Sequence, residues 1–185
     1  MYLHTQTWFL ESAIRELLPG LVDSSAHTIL EIGCFEGLSS VFFADHFLEH
    51  PDSTLTCVDP FLSIDNNDHR DLMGNHTEEY FLQNIKSCCQ PDKITVCKQT
   101  SDAFFESCQG HYDIIYIDGC HEIEVIARDM EHAYARLKPH GIMWMDDYLG
   151  GDKIAIKATM DQFLYAHEGE YDIIHMGYQL AIKKH

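Results

Sequence analysis

Apolar positions along this chain switch between two spacings. From Thr7 to Leu18 they recur as on one face of a helix, with Phe9, Leu10, Ala13, Ile14 and Leu17 grouped, and Pro19-Gly20 stops the run. Ile29 to Ile32 is a short β-rich stretch and predicts a first strand. The chain then turns through Gly33 and Gly37 into a second helix, with Leu38, Val41, Ala44 and Leu48 on one side, ending at His50-Pro51. A strand over Thr54 to Val58 stops at Asp59. The polar stretch from Phe61 to Asn75 reads as a long loop, the kind that serves as a lid or binding loop or is simply mobile. Four further segments follow: a helix from Thr77 to Cys89, a strand from Lys93 to Lys98, a short helix from a Thr100-Ser101-Asp102 cap to Ser107, and a strand from Tyr112 to Ile117. A helix from Glu122 to Leu137 places Ile123, Ile126, Met130, Ala133 and Leu137 on its buried side, and Lys138-Pro139-His140-Gly141 ends it. Ile142 to Met145 is the fifth strand, Lys153 to His167 a helix, and Asp172 to Met176 and Gln179 to Ile182 are closing strands around Gly177-Tyr178.

Strands that alternate with helices imply an α/β fold, a parallel sheet covered on both faces. The last two strands, joined by a short turn, are antiparallel to each other. The chain shows no repeat, low-complexity run or linker, so 1–185 reads as one domain, with an N-terminal helix within 1–20 and a core over 28–183. In such sheets ligands bind beyond the carboxyl ends of the strands. Gly33, Asp59, Asp118, Asp146 and Asp147 all fall at those ends and are expected to gather on one edge.

Composition narrows the partners. The formal net charge is -18, which repels a phosphate backbone, and the only basic cluster is Lys183-Lys184 at the tail. Nucleic acid is therefore not expected, whereas a cationic or neutral small ligand is compatible. The seven cysteines include no C-x-x-C pair, and several lie in apolar runs, as Cys57 and Cys97 do. They read as reduced core residues of a cytoplasmic protein rather than a zinc site. No apolar run is long enough to cross a membrane, and Met1 to Gln6 lacks the features of a secretion signal.

Two groups of residues carry a family resemblance that covers Ile29 to Ile182. Leu30-Glu31-Ile32-Gly33, with Gly37 and Ser39, resembles the cofactor loop of catechol O-methyltransferase-like enzymes. Ile117-Asp118-Gly119-Cys120-His121, Leu137-Lys138-Pro139-His140-Gly141 and Met145-Asp146-Asp147-Tyr148 resemble the metal-dependent macrocin and mycinamicin sugar O-methyltransferases. The chain is thus similar to class I S-adenosylmethionine-dependent methyltransferases. That resemblance implies a Rossmann-like fold, a seven-stranded mostly parallel sheet with a terminal antiparallel strand. It also implies S-adenosyl-L-methionine and a divalent metal, Mg²⁺ or Mn²⁺, as cofactors, and a small-molecule acceptor such as a sugar or glycoside. It leaves room for a homo-oligomer. His140 departs from the pattern, standing where a glycine often precedes Gly141.

On this reading Gly33 and Gly37 let the turn pass beneath the methionine part of the cofactor. Ser39 binds the methionine carboxylate or only caps the helix. Glu31 serves the cofactor ammonium and loop network or packs structurally. Asp59 accepts both ribose hydroxyls, since a carboxylate takes two hydrogen bonds at once. It would serve NAD equally, so it does not choose between cofactors. Ser101 and Asp102 contact the adenine edge or form an N-cap pair. Asp118, Asp146 and Asp147 are the sharpest signal. Three carboxylates on one edge repel one another unless a cation neutralises them, and hard oxygen ligands suit Mg²⁺, Mn²⁺ or Ca²⁺. The alternative is a helix cap for Asp118 and solvated loop carboxylates for the others. Neighbouring strand residues face opposite ways, so Asp146 and Asp147 both bind only if the strand is already turning, as Gly150-Gly151 suggests. Asp118 counts among both the cofactor and the catalytic residues. His121 follows it by three positions and is the expected general base. Tyr148 and the loop over Phe61 to Asn75 are expected around the acceptor.

The expected reaction is therefore O-methylation of a sugar diol, with a catechol-like diol second. Two readings lie outside this class. An NAD-dependent oxidoreductase lacks its glycine fingerprint here and leaves the aspartates unexplained. A non-catalytic binding module would keep the fold and lose the chemistry.

Overall fold

The computed structural model describes residues 2–62, 76–150 and 154–185. Its strands are β1 (Thr28–Ile32), β2 (Thr54–Val58), β3 (Ile94–Cys97), β4 (Tyr112–Ile117), β5 (Leu137–Met145), β6 (Tyr171–Met176) and β7 (Leu180–Lys184). They form one seven-stranded sheet in the order β3-β2-β1-β4-β5-β7-β6. The contacts from β3 to β5 are parallel; β7 runs antiparallel to both β5 and β6.

The helices are α1 (Ala13–Leu17), α2 (Leu38–Phe47), α3 (Thr77–Ser87), α4 (Ser101–Ser107), α5 (Ile123–Arg136) and α6 (Ile154–Ala166). Strand alternation assigns them to two layers. Ile29, Leu55, Ile114 and Trp144 pack with side chains of α1, α2 and α3. Leu30, Ile115, Ile117 and Met143 pack with α4, α5 and α6. Each fully buried Ile or Leu contributes roughly 1.5–3 kcal/mol relative to exposure. The parallel strands, covered on both faces, are apolar nearly throughout, which is why their runs stand out in the sequence.

Two elements differ from expectation. The helix expected from Thr7 to Leu18 is broken into a 3-10 turn (Trp8–Glu11), α1 and a second 3-10 turn (Leu18–Gly20). Ser12 is extended at the break, and its hydroxyl donates to the Phe9 carbonyl at 2.7 Å. The break buries Ile14 and Leu18 completely and leaves Leu10 and Leu17 near 40% exposed. The second difference is β5. It follows α5 without a loop, so Lys138 to Gly141 belong to a strand rather than to a helix stop. Tyr112 pairs with Leu137 and Ile114 with Ile142, so the strand bulges between those pairs. His140 sits in the bulge with φ +65°, a conformation glycine adopts more readily.

The N-terminal segment is fastened to α2, to α3 and to the glycine turn. The Tyr2 hydroxyl donates to Asp45 at 2.6 Å, and Leu3 exchanges two hydrogen bonds with the Asn84 amide. Buried Glu36 accepts both the Thr5 N–H at 2.6 Å and its hydroxyl at 2.7 Å. None of the described helices is long and apolar enough to cross a membrane.

Candidate functional site

The sheet ladder continues one residue past each central strand. Asp59, Asp118 and Asp146 donate their N–H groups to Cys97, Ile32 and Ile117 at 3.3, 2.8 and 3.0 Å. The three aspartates are therefore held along one carboxyl edge, with β1 between the strands of Asp59 and Asp118, as the sheet rule predicts. Gly33 lies among them with φ +83°, and a Cβ there would stand 2.0 Å from the Asp118 carbonyl oxygen. No other residue fits that crossing. Gly37, also at φ +83°, starts α2 against the Phe81 ring.

This edge opens into a cavity of about 960 Å³. The glycine turn lines it together with Trp8, Phe9, Ser12 and Glu16 of the N-terminal segment. Trp8 also stacks on Phe35 of the turn, with ring centroids 6.0 Å apart. The turn itself is held from behind. Asp59 Oδ2 accepts the N–H groups of Cys34 (2.8 Å) and Phe35 (3.0 Å), and Oδ1 accepts that of Phe61 (2.7 Å). Asp59 is 1% exposed. Its carboxylate thus organises the turn, and the two ribose hydroxyls expected there would compete with three backbone donors. Glu31 points to the α2 side of β1 and is fully buried. It accepts the hydroxyls of Ser39 and Ser40 and the Cys57 thiol at 3.4 Å. Burial pushes its carboxyl up to about 7, against those donors. Ser39 donates to Glu31 and also lines the cavity.

On the same cavity, next to the Gly33 crossing, the donor atoms of Asp118, His121 and Asp147 lie within 4.8 Å of one another. His121 Nε2 is 2.9 Å from Asp147 Oδ2. The Tyr178 hydroxyl donates to Asp147 Oδ1 at 2.5 Å, and Tyr116 donates to Asp118 at 3.0 Å. Burial, then the Asp147 bond, raises the Tyr178 phenol, so it stays a donor. Asp147 has φ +66°, which confirms that the chain turns immediately after β5. Asp146 departs from the expected trio. It faces the same side of β5 as Trp144, and there Gln179 Nε2 donates to it at 2.5 Å. Gln179 Oε1 in turn accepts the Trp144 indole N–H at 2.9 Å and the Ile14 N–H at 3.0 Å. The close cluster is thus two aspartates and a histidine.

Thr100, Ser101 and Asp102 all line the cavity, and Asp102 is also held by Arg128 in a two-pronged pair at 3.0 and 2.7 Å. The Asp102 side chain is about 43% exposed, which suits an ion pair at the surface. Tyr148 is buried in the core and donates to Asp161, so it does not line the cavity. Of the loop expected from Phe61 to Asn75, residues 63–75 lie outside the described residues, as does Gly151. All seven cysteines are free. Sequence reasoning missed Tyr178 and Gln179. Their only signal was a polar pair at the junction of the Gly177-Tyr178 turn and the strand expected from Gln179, on the edge that carries the aspartates.

A family model described as a methyltransferase domain matches residues 30–148. No curated protein matches the chain. Among solved structures, the chain is similar to the O-methyltransferase TomG of Streptomyces achromogenes, involved in tomaymycin synthesis and solved with SAM. Identity is 13%, coverage 93% of this chain and 78% of that one, and TM-score 0.66. It is also similar to an O-methyltransferase of Bacillus cereus in complex with SAH, at 15% identity, 98% and 83% coverage and TM-score 0.65. A putative rRNA-methylase of Clostridium thermocellum matches at 15% identity, 98% of both chains and TM-score 0.69. At these identities the likeness is one of fold.

Proposed function

The chain belongs to the methyltransferase-domain family, and from that premise we propose that it is an S-adenosylmethionine-dependent, metal-assisted O-methyltransferase acting on a sugar or other small diol. The observation that carries this reading is one cavity joining the Gly33 turn to the Asp118–His121–Asp147 cluster. Both groups suit the residues present. The close crossing at Gly33 leaves backbone, not side chain, facing the cavity. The carboxylates of Asp118 and Asp147, with Asp146 adjacent, offer hard oxygen ligands for a divalent cation, and the His121 imidazole beside them is kept for proton transfer. When bound, S-adenosylmethionine supplies an electrophilic sulfonium methyl, and Mg²⁺ or Mn²⁺ supplies charge that acidifies an acceptor hydroxyl.

The chain's own residues do the rest. Tyr178 and Gln179 hold Asp147 and Asp146 in place from the β6–β7 turn. Asp147 orients the His121 ring through Nε2, which leaves the Nδ1 lone pair to receive the acceptor's proton. Trp8, Ser12 and Glu16 line the cavity from the N-terminal segment and offer contacts to the acceptor. The described cavity lining contains many carboxylates and no lysine or arginine, which favours a neutral polyol over a phosphorylated acceptor or a nucleic acid. TomG and the Bacillus cereus enzyme, both described as O-methyltransferases, support oxygen as the methyl acceptor.

The test is transfer of labelled methyl from S-adenosylmethionine to a panel of sugars and catechols, with and without EDTA. Labelled sugar should form, disappear in EDTA and return with Mg²⁺ or Mn²⁺. Full turnover in chelator would overturn the metal, and labelling of catechols alone would overturn the sugar acceptor.

A further inference from the structure

Three side chains with no part in the proposed reaction meet between β1 and β2. Glu31 and Cys57 are paired in register across the two strands, and Cys34 stands in the turn just after β1. Glu31 and Cys57 are completely buried, and Cys34 is 2% exposed. The two sulfurs and a Glu31 carboxylate oxygen lie within 4.8 Å of one another. Cys57 Sγ is 3.4 Å from Glu31 Oε2. Core cysteines usually pack as small hydrophobes, yet here two thiols share a buried carboxyl group. No C-x-x-C spacing announces the pair, because the parallel pairing of β1 with β2 is what joins it.

We propose that Cys34, Cys57 and Glu31 form a binding site for a thiophilic divalent cation such as Zn²⁺, separate from the Asp118–His121–Asp147 cluster. A tetrahedral ion bonds sulfur at about 2.3 Å and a carboxylate oxygen at about 2.0–2.2 Å, which sets those two donors about 3.5 Å apart. Cys57 and Glu31 already stand at nearly that separation. Two sulfurs disfavour Mg²⁺, which the oxygen ligands at the strand ends suit better. Ser39 and Ser40 donate to Glu31, and Ser40 also hydrogen-bonds Cys57, so the donors are held in place from the start of α2. Cys34 lines the cavity, which gives an ion its way in. Burial, and then the neighbouring Cys57, Glu31 and Asp59, keep the Cys34 thiol protonated in the empty site. Binding therefore breaks two S–H bonds, forms two sulfur–metal bonds and releases two protons to solvent. The Cys34 contact to the Val58 carbonyl at 3.7 Å is given up, and the ion ties the glycine turn to β2.

The experiment titrates the full, reduced chain with Cd²⁺ in excess Mg²⁺. Cadmium–thiolate bonds absorb in the ultraviolet, and the Asp118–His121–Asp147 cluster holds no sulfur to produce that band. Cys89→Ser serves as the parent, since it removes the exposed thiol. One Cd²⁺ per chain should bind with a thiolate band. Adding Cys34→Ser or Cys57→Ser should weaken binding roughly 100-fold or more and remove about half of the band, because each takes away one sulfur ligand. Serine keeps the size of the side chain and, at position 57, its hydrogen bond to Glu31. Circular dichroism checks that these variants fold. If they do not, X-ray absorption of the cadmium-loaded parent decides, with two sulfur neighbours and the rest oxygen expected. No thiolate band in the parent, an unchanged titration in either folded variant, or a shell with fewer than two sulfurs overturns the site.

Discussion

Glu31 has no contact with water, yet it carries a carboxyl group into the layer between β1 and α2. Strand alternation explains why: Leu30 and Ile32 face the α5 side, so Glu31 must face α2, where Ser39 and Ser40 meet it. That much was legible in the sequence, because an acidic residue in an apolar strand has to find donors. Which donors it finds was not, and they turn out to include the serine expected at the cofactor. The cause-and-effect can be measured. Burial raises the Glu31 carboxyl from 4.5 to about 7, so the folded chain keeps this proton where the unfolded chain has released it. Stability is then full below about pH 4.5, falls as pH rises towards about 7, and is level above, for a total on the order of 3 kcal/mol. Asp129, raised to about 6, slopes the same way and is common to both proteins compared. Urea unfolding across this window should show the parent losing stability relative to Glu31→Gln. Parallel profiles would mean that Glu31 is already ionised in the folded state.

Elements whose pattern agrees with their tertiary setting were readable almost to the residue. β2 and β4 have the expected bounds because a buried parallel strand is an apolar run with an aspartate at its end. α4 begins at the expected cap, with the Thr100 hydroxyl accepting the Ala103 N–H. The N-terminal segment was misread because helical spacing does not report a break. Ser12 joins two short turns, and the gain is burial of Ile14 and Leu18. The start of β5 was misread because Pro139 and Gly141 are ordinary helix-stop signals. Here they lie in a bulge whose pairing partner, Tyr112, is set by the sheet. The bulge also explains His140. A side chain at φ +65° is strained by roughly 1–2 kcal/mol, partly offset by the extra freedom a glycine would give the unfolded chain. His140→Gly should therefore raise stability by roughly 0.5–1 kcal/mol, seen as a higher urea midpoint at unchanged slope. A lower midpoint would show that the imidazole makes a stabilising contact that outweighs the backbone.

Topology does at the scale of the molecule what no local pattern could foretell. Residues from Gln6 to Gln179 meet around one cavity because the parallel strands end together and the β6–β7 turn returns to the same edge. The aspartates were legible because the sheet rule names their positions. Tyr178 and Gln179, which hold them, and the N-terminal segment, which lines the same cavity, were not, since their contacts join distant stretches of chain. The carboxylate-rich lining gives the overall charge a local purpose, favouring a cationic cofactor at this edge. The most direct test of the account is calorimetric titration of the full chain with S-adenosylhomocysteine, run beside the same titration with NAD. The account predicts saturable binding of one S-adenosylhomocysteine per chain and no heat from NAD; saturable binding of NAD with none of S-adenosylhomocysteine would contradict it.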